Sequence, residues 1–382
     1  MYPKVRFRGF DASQEFKNCL LSEVARNLDN KRIPITANKR KKGKIPYFGS
    51  NGIQDYVKGY THNGTFILIA EDGANNLKHY PVIKATGKIW VNNHAHVLQA
   101  LDKKIDFNYL YFLLFKYNFE KYLVGSGRYK LNAAVLEKLP IKICNSKNEQ
   151  IAIGKILASI DNLLSLQQRK LELEKALEKS LFQNLYTDFP NIFPKLAFEK
   201  SPWHAIKLQD AFTEISKRSK AGQLLTVSIS KGIFPFNESE RKNNSSSDKS
   251  KYKVVKINDI AYNTMRMWQG AEAVSRYDGI VSPAYTVIRA KKNQNPFFYA
   301  FMFKREKYLY LFQTYSQGLT SDTWNLKYPL FKEIKAMIPE NLYIQDKIAN
   351  ILNTRLKHTE LENTKLETFQ ALKQFLLQNL FI

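Results

Sequence analysis

The apolar positions of this chain change period along its length, and the change happens twice. Short runs such as Thr65-Phe-Ile-Leu-Ile-Ala70 and Ala284-Tyr-Thr-Val-Ile-Arg289 are rich in β-branched and aromatic residues, lie between Gly-, Asn- and Lys-rich stretches, and predict strands. The runs Tyr109–Lys116 (YLYFLLFK) and Phe297–Lys304 (FFYAFMFK) predict one apolar helix in each half. Residues 147–187 and 342–381 differ: they hold no internal proline and, of glycine, only Gly154. Their apolar residues form stripes, Leu157, Leu164, Leu171, Leu177, Leu181 and Leu185 in the first and Leu352, Leu366, Phe369, Leu372, Leu376 and Leu380 in the second. Such a helix is roughly 55 Å long at about 1.5 Å per residue. Its stripe needs a partner, and pairing the two stretches with each other supplies one. Antiparallel pairing is compatible with the pseudo-symmetry of the two halves.

That pseudo-symmetry is written in the residues. An offset of 195 positions lays Gln150-Ile-Ala-Ile-Gly-Lys-Ile-Leu157 over Gln345-Asp-Lys-Ile-Ala-Asn-Ile-Leu352, and Gln183-Asn-Leu185 over Gln378-Asn-Leu380. With a small change of offset, Tyr2-Pro-Lys-Val-Arg-Phe7 falls on Phe193-Pro-Lys-Leu-Ala-Phe198. The chain therefore reads as a tandem duplication, 2–192 and 193–382. Its class is α+β: one α+β domain over 1–146, a long helix over 147–188, a second α+β domain over 189–341 and a second long helix over 342–382.

A length of 382 residues suits two or three domains, and 44% hydrophobic residues can fill their cores. The formal charge of +25, from 59 Lys plus Arg against 34 Asp plus Glu, points to a polyanionic partner. Nucleic acid is the first candidate, because the cations are interleaved with Tyr, Phe, Asn and Gln. A membrane is the weaker one: runs such as Tyr109–Phe115 fall far short of the ~20 residues needed to span a bilayer. The start, MYPKVRFRGF, has no apolar stretch of signal-peptide length, and Cys19 and Cys144 lack metal-ligand spacing, so a reducing cytoplasm is expected.

Several stretches have the chemistry of nucleic-acid contact. The expected loop 38–44 carries Lys39, Arg40, Lys41, Lys42 and Lys44, suited to phosphate oxygens, although charge runs are more often solvated. Asn75, Asn76 and Lys78, with Asn92 and Asn93, offer amides that pair with adenine edges, and turn formation explains any one of them as well. Gly125-Ser-Gly-Arg-Tyr-Lys130 combines flexible backbone with Arg128 and Lys130. In the second half Arg266, Trp268 and Gln269 follow a strand-like run, Trp268 being equally suited to packing.

Catalytic motifs are sparse. Asn295-Pro-Phe-Phe298 is similar to the Asn/Asp-Pro-Pro-aromatic loop of amino-group methyltransferases, but it lacks the second proline, and Asn then Pro is expected where a helix starts. No Walker A loop, HExxH, paired CxxC or Gly-rich cofactor loop is found. Glu333-Ile-Lys335 is half a nuclease pattern without a second acid, and His94-Ala-His96 is two histidines without a third ligand.

Pro3-Lys-Val-Arg-Phe-Arg-Gly-Phe10, the Pro46-Tyr-Phe-Gly-Ser-Asn-Gly52 turn, Leu139-Pro140 leading into Glu149-Gln150, and the full-length tandem layout resemble the specificity subunit of type I restriction-modification systems. The resemblance implies two target-recognition domains, each reading half of a split double-stranded DNA sequence, with the two helices as an antiparallel coiled coil that sets the gap. It implies a non-catalytic subunit with no cofactor of its own. Two methylation subunits would bring S-adenosylmethionine, and restriction subunits in the full complex would bring ATP. Gln167, Arg169 and Glu172 on the helix outer face are candidates for contact with the methylation subunits. An architectural nucleic-acid binder without sequence preference and a self-contained methyltransferase or nuclease are the competing readings. Competition by unrelated duplex favours the former, and cofactor binding by the isolated chain the latter.

Overall fold

The computed structural model describes residues 3–10, 15–127, 129–229, 231–239 and 248–382. The chain divides into two compact units, Met1–Arg169 with Thr364–Ile382, and Lys170–Asn363.

In the first unit a six-stranded sheet runs in the order Ala25–Asn27, Ala95–Ala100, His62–Ala70, Val82–Val91, Lys42–Gly49, Gly52–Val57. All neighbours are antiparallel except Lys42–Gly49 against Val82–Val91. The run Phe66–Ala70 is buried throughout, so it reads as continuously apolar instead of alternating. A separate two-stranded pair joins Lys17–Leu20 to Pro140–Ile143. The second unit repeats the first four strands in the same order: Phe212–Glu214, Tyr285–Ala290, Ile260–Asn263, Glu272–Val274. It also repeats the small pair, His204–Lys207 with Lys335–Ile338.

Each unit packs its sheet on one apolar helix. Phe107–Lys116 starts at Asp106, whose carboxylate accepts the Tyr109 N–H at 2.9 Å. Pro296–Phe303 starts at Asn295, whose side-chain oxygen accepts the N–H groups of Phe297 and Phe298. The Asn-Pro pair is thus a helix cap with proline in the first turn.

The two long helices span Lys147–Asn184 and Leu342–Asn379. Each begins with a buried glutamine that accepts the N–H of the apolar helix's cap residue: Asp106 donates to Gln150 and Asn295 to Gln345, both at 3.0 Å. Gly154 lies where the first helix passes closest, since a Cβ there would sit 2.8 Å from the Tyr109 nitrogen. The ends are repeated too. The Asn184 carbonyl accepts the Leu196 N–H at 2.9 Å, and the Asn379 carbonyl accepts the Val5 N–H at 3.1 Å. Leu185 and Tyr186 belong to the second core, and Leu376, Leu377, Leu380 and Phe381 to the first.

Within each unit the helical segments run antiparallel. In the second, Lys170 meets Glu362 at 3.0 Å while Glu174 meets Arg355; in the first, Asp161 meets Lys373 at 2.6 Å. The seam follows alternating steps of three and four: Leu157, Ile160, Leu164, Gln167, Leu171, Glu174, Glu178, Leu181, Leu185, each buried or half-buried. Leu177 is off this row and 46% exposed, because Glu178 takes the inward place. On the second helix Leu366, Phe369, Leu376 and Leu380 face inward with Lys373 between them, which leaves Leu372 42% exposed. Gln167 is half-buried on the seam, not on the outer face. Reading leucines alone misplaces these positions, since polar residues occupy part of the inward row.

One pair differs between the repeats in a compensated way. Arg6 forms a two-pronged ion pair with Glu149 at 2.7 and 2.6 Å, and Glu149 is 1% exposed and also accepts the Cys144 thiol at 2.9 Å. Burial and the Glu149 charge push that thiol up to about 12. In the second repeat the matching residues are Ala197 and Ile344, which line one small apolar cleft. An ion pair in one repeat stands where two apolar side chains line one cleft in the other, a near-neutral exchange when both members change. Glu149→Ile alone is expected to lower stability in a urea melt by about 3 kcal/mol, with most of the loss restored by adding Arg6→Ala. A single variant as stable as the parent would show that the ion pair does not hold the segment.

Candidate nucleic-acid interface

In the first domain four loops meet at one end of the sheet. The Glu71 N–H donates to the His94 carbonyl at 2.8 Å, and the Leu131 N–H donates to the Glu71 carbonyl at 2.7 Å. Asn51 accepts the Asn75 N–H and donates to the Gly73 carbonyl, both at 2.9 Å. Val124 and Lys130 exchange backbone hydrogen bonds, both at 2.9 Å, closing the neck of the Gly125–Tyr129 loop. Turns 50–52, 71–79, 92–94 and the 124–131 loop therefore form one corner. Asn75, Asn76, Lys78, Asn93 and Gly125–Gly127 are exposed on it.

A charged cluster fixes the corner from below. His96 is wholly buried, with Nδ1 2.6 Å from Asp29 and Nε2 2.7 Å from the Leu131 carbonyl. Asp29 also takes the Val97 N–H at 2.8 Å, and Arg32 reaches Glu71 at 2.7 Å. Burial pushes the Asp29 carboxyl up, but the His96 bond and charge, the Val97 N–H and Arg32 outweigh it and hold it below the usual range. Glu71 is lowered against burial by Arg32 and Lys130. Asp29, Glu71 and His96 are close enough to share a cation, but their atoms are committed to Arg32, Lys130, Val97 and Leu131. His94 does not join them; it bonds Asp72 at 2.7 Å.

Several sequence expectations change here. Asn92 is buried, its oxygen accepting the His94 N–H and its amide facing Gln54, so it shapes a turn and offers no free edge. Asn76 is exposed, but its oxygen accepts the Lys78 and His79 N–H groups. Lys130 pairs with Glu71 at 3.0 Å. Arg40 is no free cation: its guanidinium lies 4.2 Å over the Tyr47 ring and bonds the Ile35 carbonyl. Lys39, Lys41, Lys42 and Lys44 are exposed, yet Lys42 and Lys44 lie in strand Lys42–Gly49 and not in a loop. They sit at the far end of that strand from the Asn51 turn, roughly 20 Å away at about 3.3 Å per residue. The basic run thus does not join the corner. Arg128 lies outside the described residues.

The second domain builds the same corner. The Thr264 N–H donates to the Ala284 carbonyl at 3.3 Å, and the Leu326 N–H donates to the Thr264 carbonyl at 2.8 Å. Gln317 and Asn325 exchange backbone bonds at 3.1 and 2.8 Å. These match Glu71 to His94, Leu131 to Glu71, and the Val124–Lys130 neck. Arg266 is half-buried and Gln269 exposed in the turn between the strands. Trp268 is packed: its Nε1 donates to the Met265 carbonyl and its ring stands edge-to-face with Trp324, centroids 5.1 Å apart. The loop 318–324 escapes a search for basic or amide-rich stretches. The offset of 195 was the available signal, since it carries Lys130-Leu131 onto Asn325-Leu326, and both leucines are fully buried.

The family model for the type I restriction modification DNA specificity domain matches residues 14–175 and 200–370, one copy on each repeat. The chain belongs to the type I restriction-modification DNA specificity family. A putative type I restriction enzyme specificity subunit of Haemophilus influenzae is 45% identical over 145 residues, 38% of this chain and 37% of that protein. The EcoprrI specificity subunit of Escherichia coli is 29% identical over 131 residues, 34% of this chain and 31% of that protein. The chain thus spans about a third of each of these relatives. The crystal structure of a type I restriction-modification S subunit from M. genitalium superposes with a TM-score of 0.70 at 16% identity, covering 100% of this chain and 99% of that one, a likeness of fold. The tandem α+β domains and long helices are the architecture of this specificity family.

The specificity domain of the second repeat also carries a buried acid. Glu272 is fully buried, opposite Tyr262 across the sheet, and its two carboxylate oxygens are without a partner among the described residues. Burial pushes its carboxyl up to about 8, with Lys304 opposing. The folded value lies above the unfolded one, so the stabilising contribution is fully present below about 4.5 and is lost as pH rises through about 8. Glu272→Gln is expected to raise stability by roughly 3 kcal/mol or more at pH 9 and to change little at pH 5. Parallel stability curves for the two proteins would place the carboxyl in contact with water.

Proposed function

We propose that this chain is the DNA-specificity subunit of a type I restriction-modification complex, in which each domain reads one half of a bipartite duplex target. The observation that carries the reading is the loop corner, built twice on the same strand order but with different loop residues. A shared scaffold with unlike loops suits two unlike half-sites better than a binder without sequence preference. The charge of +25 supplies the sequence-independent attraction to phosphate, and the exposed Lys39, Lys41, Lys42 and Lys44 are its densest run in the first domain.

In this reading the subunit carries no reaction of its own. It recruits two methylation subunits, which bind S-adenosylmethionine, and in the full complex ATP-dependent restriction subunits. The long helices set the gap between half-sites. No helix among the described residues is long and apolar enough to cross a membrane, and the expected compartment is the cytoplasm with the host DNA.

The deciding experiment co-expresses the chain with its methylation subunit and maps methyladenine at single-base resolution. A split motif with methylated adenine in both halves is the expected result. Adding seven residues to both long helices should then widen the gap and leave both halves intact, and retention of the old spacing would remove the helices from that role. Replacing the four exposed lysines with Ala should weaken binding equally on all duplexes and reduce the slope of affinity against salt by up to about four phosphate contacts. An unchanged slope would take them out of the phosphate interface.

A further inference from the structure

The seven residues Gly318–Trp324 fill the neck that five residues fill in the first domain, and hydrogen bonds run across the loop. The Thr323 and Trp324 N–H groups both donate to the Thr320 carbonyl, at 2.9 and 3.1 Å, and the Thr323 hydroxyl accepts the Thr320 N–H. Gly318 has φ +133°, and a Cβ there would meet the Thr323 carbonyl oxygen at 2.5 Å, so the loop closes only on glycine. Trp324 anchors its base against Trp268.

The tip of this loop faces solvent. Leu319 is 101% exposed, touching nothing, and Asp322 is exposed with no ion pair or hydrogen bond among the described residues. Leu319 is the most exposed of the large apolar side chains among the described residues, and it is carried on a loop closed by its own backbone hydrogen bonds at the corner that matches the first domain's. Two further features of the site fit a base edge. A leucine packs on the thymine 5-methyl group, and a carboxylate accepts from the exocyclic amino group of cytosine, both displayed in the major groove of duplex DNA. The two threonine hydroxyls, spent within the loop, act as braces and not as readers.

We propose that Leu319 and Asp322 are base-reading residues of the second domain, with the Trp268–Trp324 pair as their positioning platform. The proposal rests on the specificity-subunit reading and adds to it which side chains choose the bases of one half-site. It concerns a loop without a single cation, so these residues discriminate between sequences without adding to phosphate attraction.

The test is Leu319→Ala with Asp322→Asn in the complex with the methylation subunit, mapped by methyladenine sequencing beside the unaltered complex. The expected result is relaxation at one or two positions of a single half-site, with methylation of near-match sites rising about tenfold or more. The other half, the gap and the salt dependence of binding should not change. A motif identical to that of the unaltered complex overturns the assignment while leaving the specificity-subunit reading in place. A photo-reactive leucine analogue at position 319 gives an independent readout: cross-links to bases are expected, and cross-links only to the sugar-phosphate backbone, or none in a complex that methylates a split motif, overturn it. An unaltered complex that methylates no split motif, together with no cross-link to duplex from the analogue at position 319, overturns both.

Discussion

The structure depends on a buried amide. In each repeat a long helix starts with a glutamine whose side chain accepts the N–H of the residue capping the domain's apolar helix, Asp106 to Gln150 and Asn295 to Gln345. A cap N–H in that place would otherwise be buried without a partner, at a cost of about 1–3 kcal/mol. The same bond fixes where each long helix leaves its domain.

The ends of the helices complete that arrangement. The carbonyl of Asn184 is taken by Leu196, and that of Asn379 by Val5, so the N-terminal segment does for one helix what the linker after Tyr186 does for the other. The duplicated Gln-Asn-Leu phrase is therefore a packing motif: the Asn carbonyl closes the helix end, and Leu185 and Leu380 enter the cores. Between the ends, Lys170, Glu174, Arg355 and Glu362 replace apolar contacts with ion pairs.

Function sits on top of this frame and is chemically modest. The first domain's corner is braced by a buried histidine bonded at both ring nitrogens, the second by a pair of tryptophans. Different braces under a common backbone pattern allow the loops above them to diverge while the strand order is retained.

The duplication, the α+β class, the long helices and the cap at Asn295 were legible in the sequence, because each rests on local periodicity or on residues whose conformational role is intrinsic. The basic run near Lys39 was visible but misread in part, since charge spacing does not reveal that Arg40 lies on Tyr47 or that Lys42 begins a strand. Leucine counting placed Leu177 and Leu372 on the seam, whereas Glu178 and Lys373 occupy the inward row. The loop at Gly318 gave no compositional signal at all. The sequence by itself determined which segments are helix, strand and repeat, because those follow from near neighbours along the chain. Only the tertiary structure decided which loops meet at the corners and which polar groups are already spent, because both depend on hydrogen bonds between residues far apart in the chain.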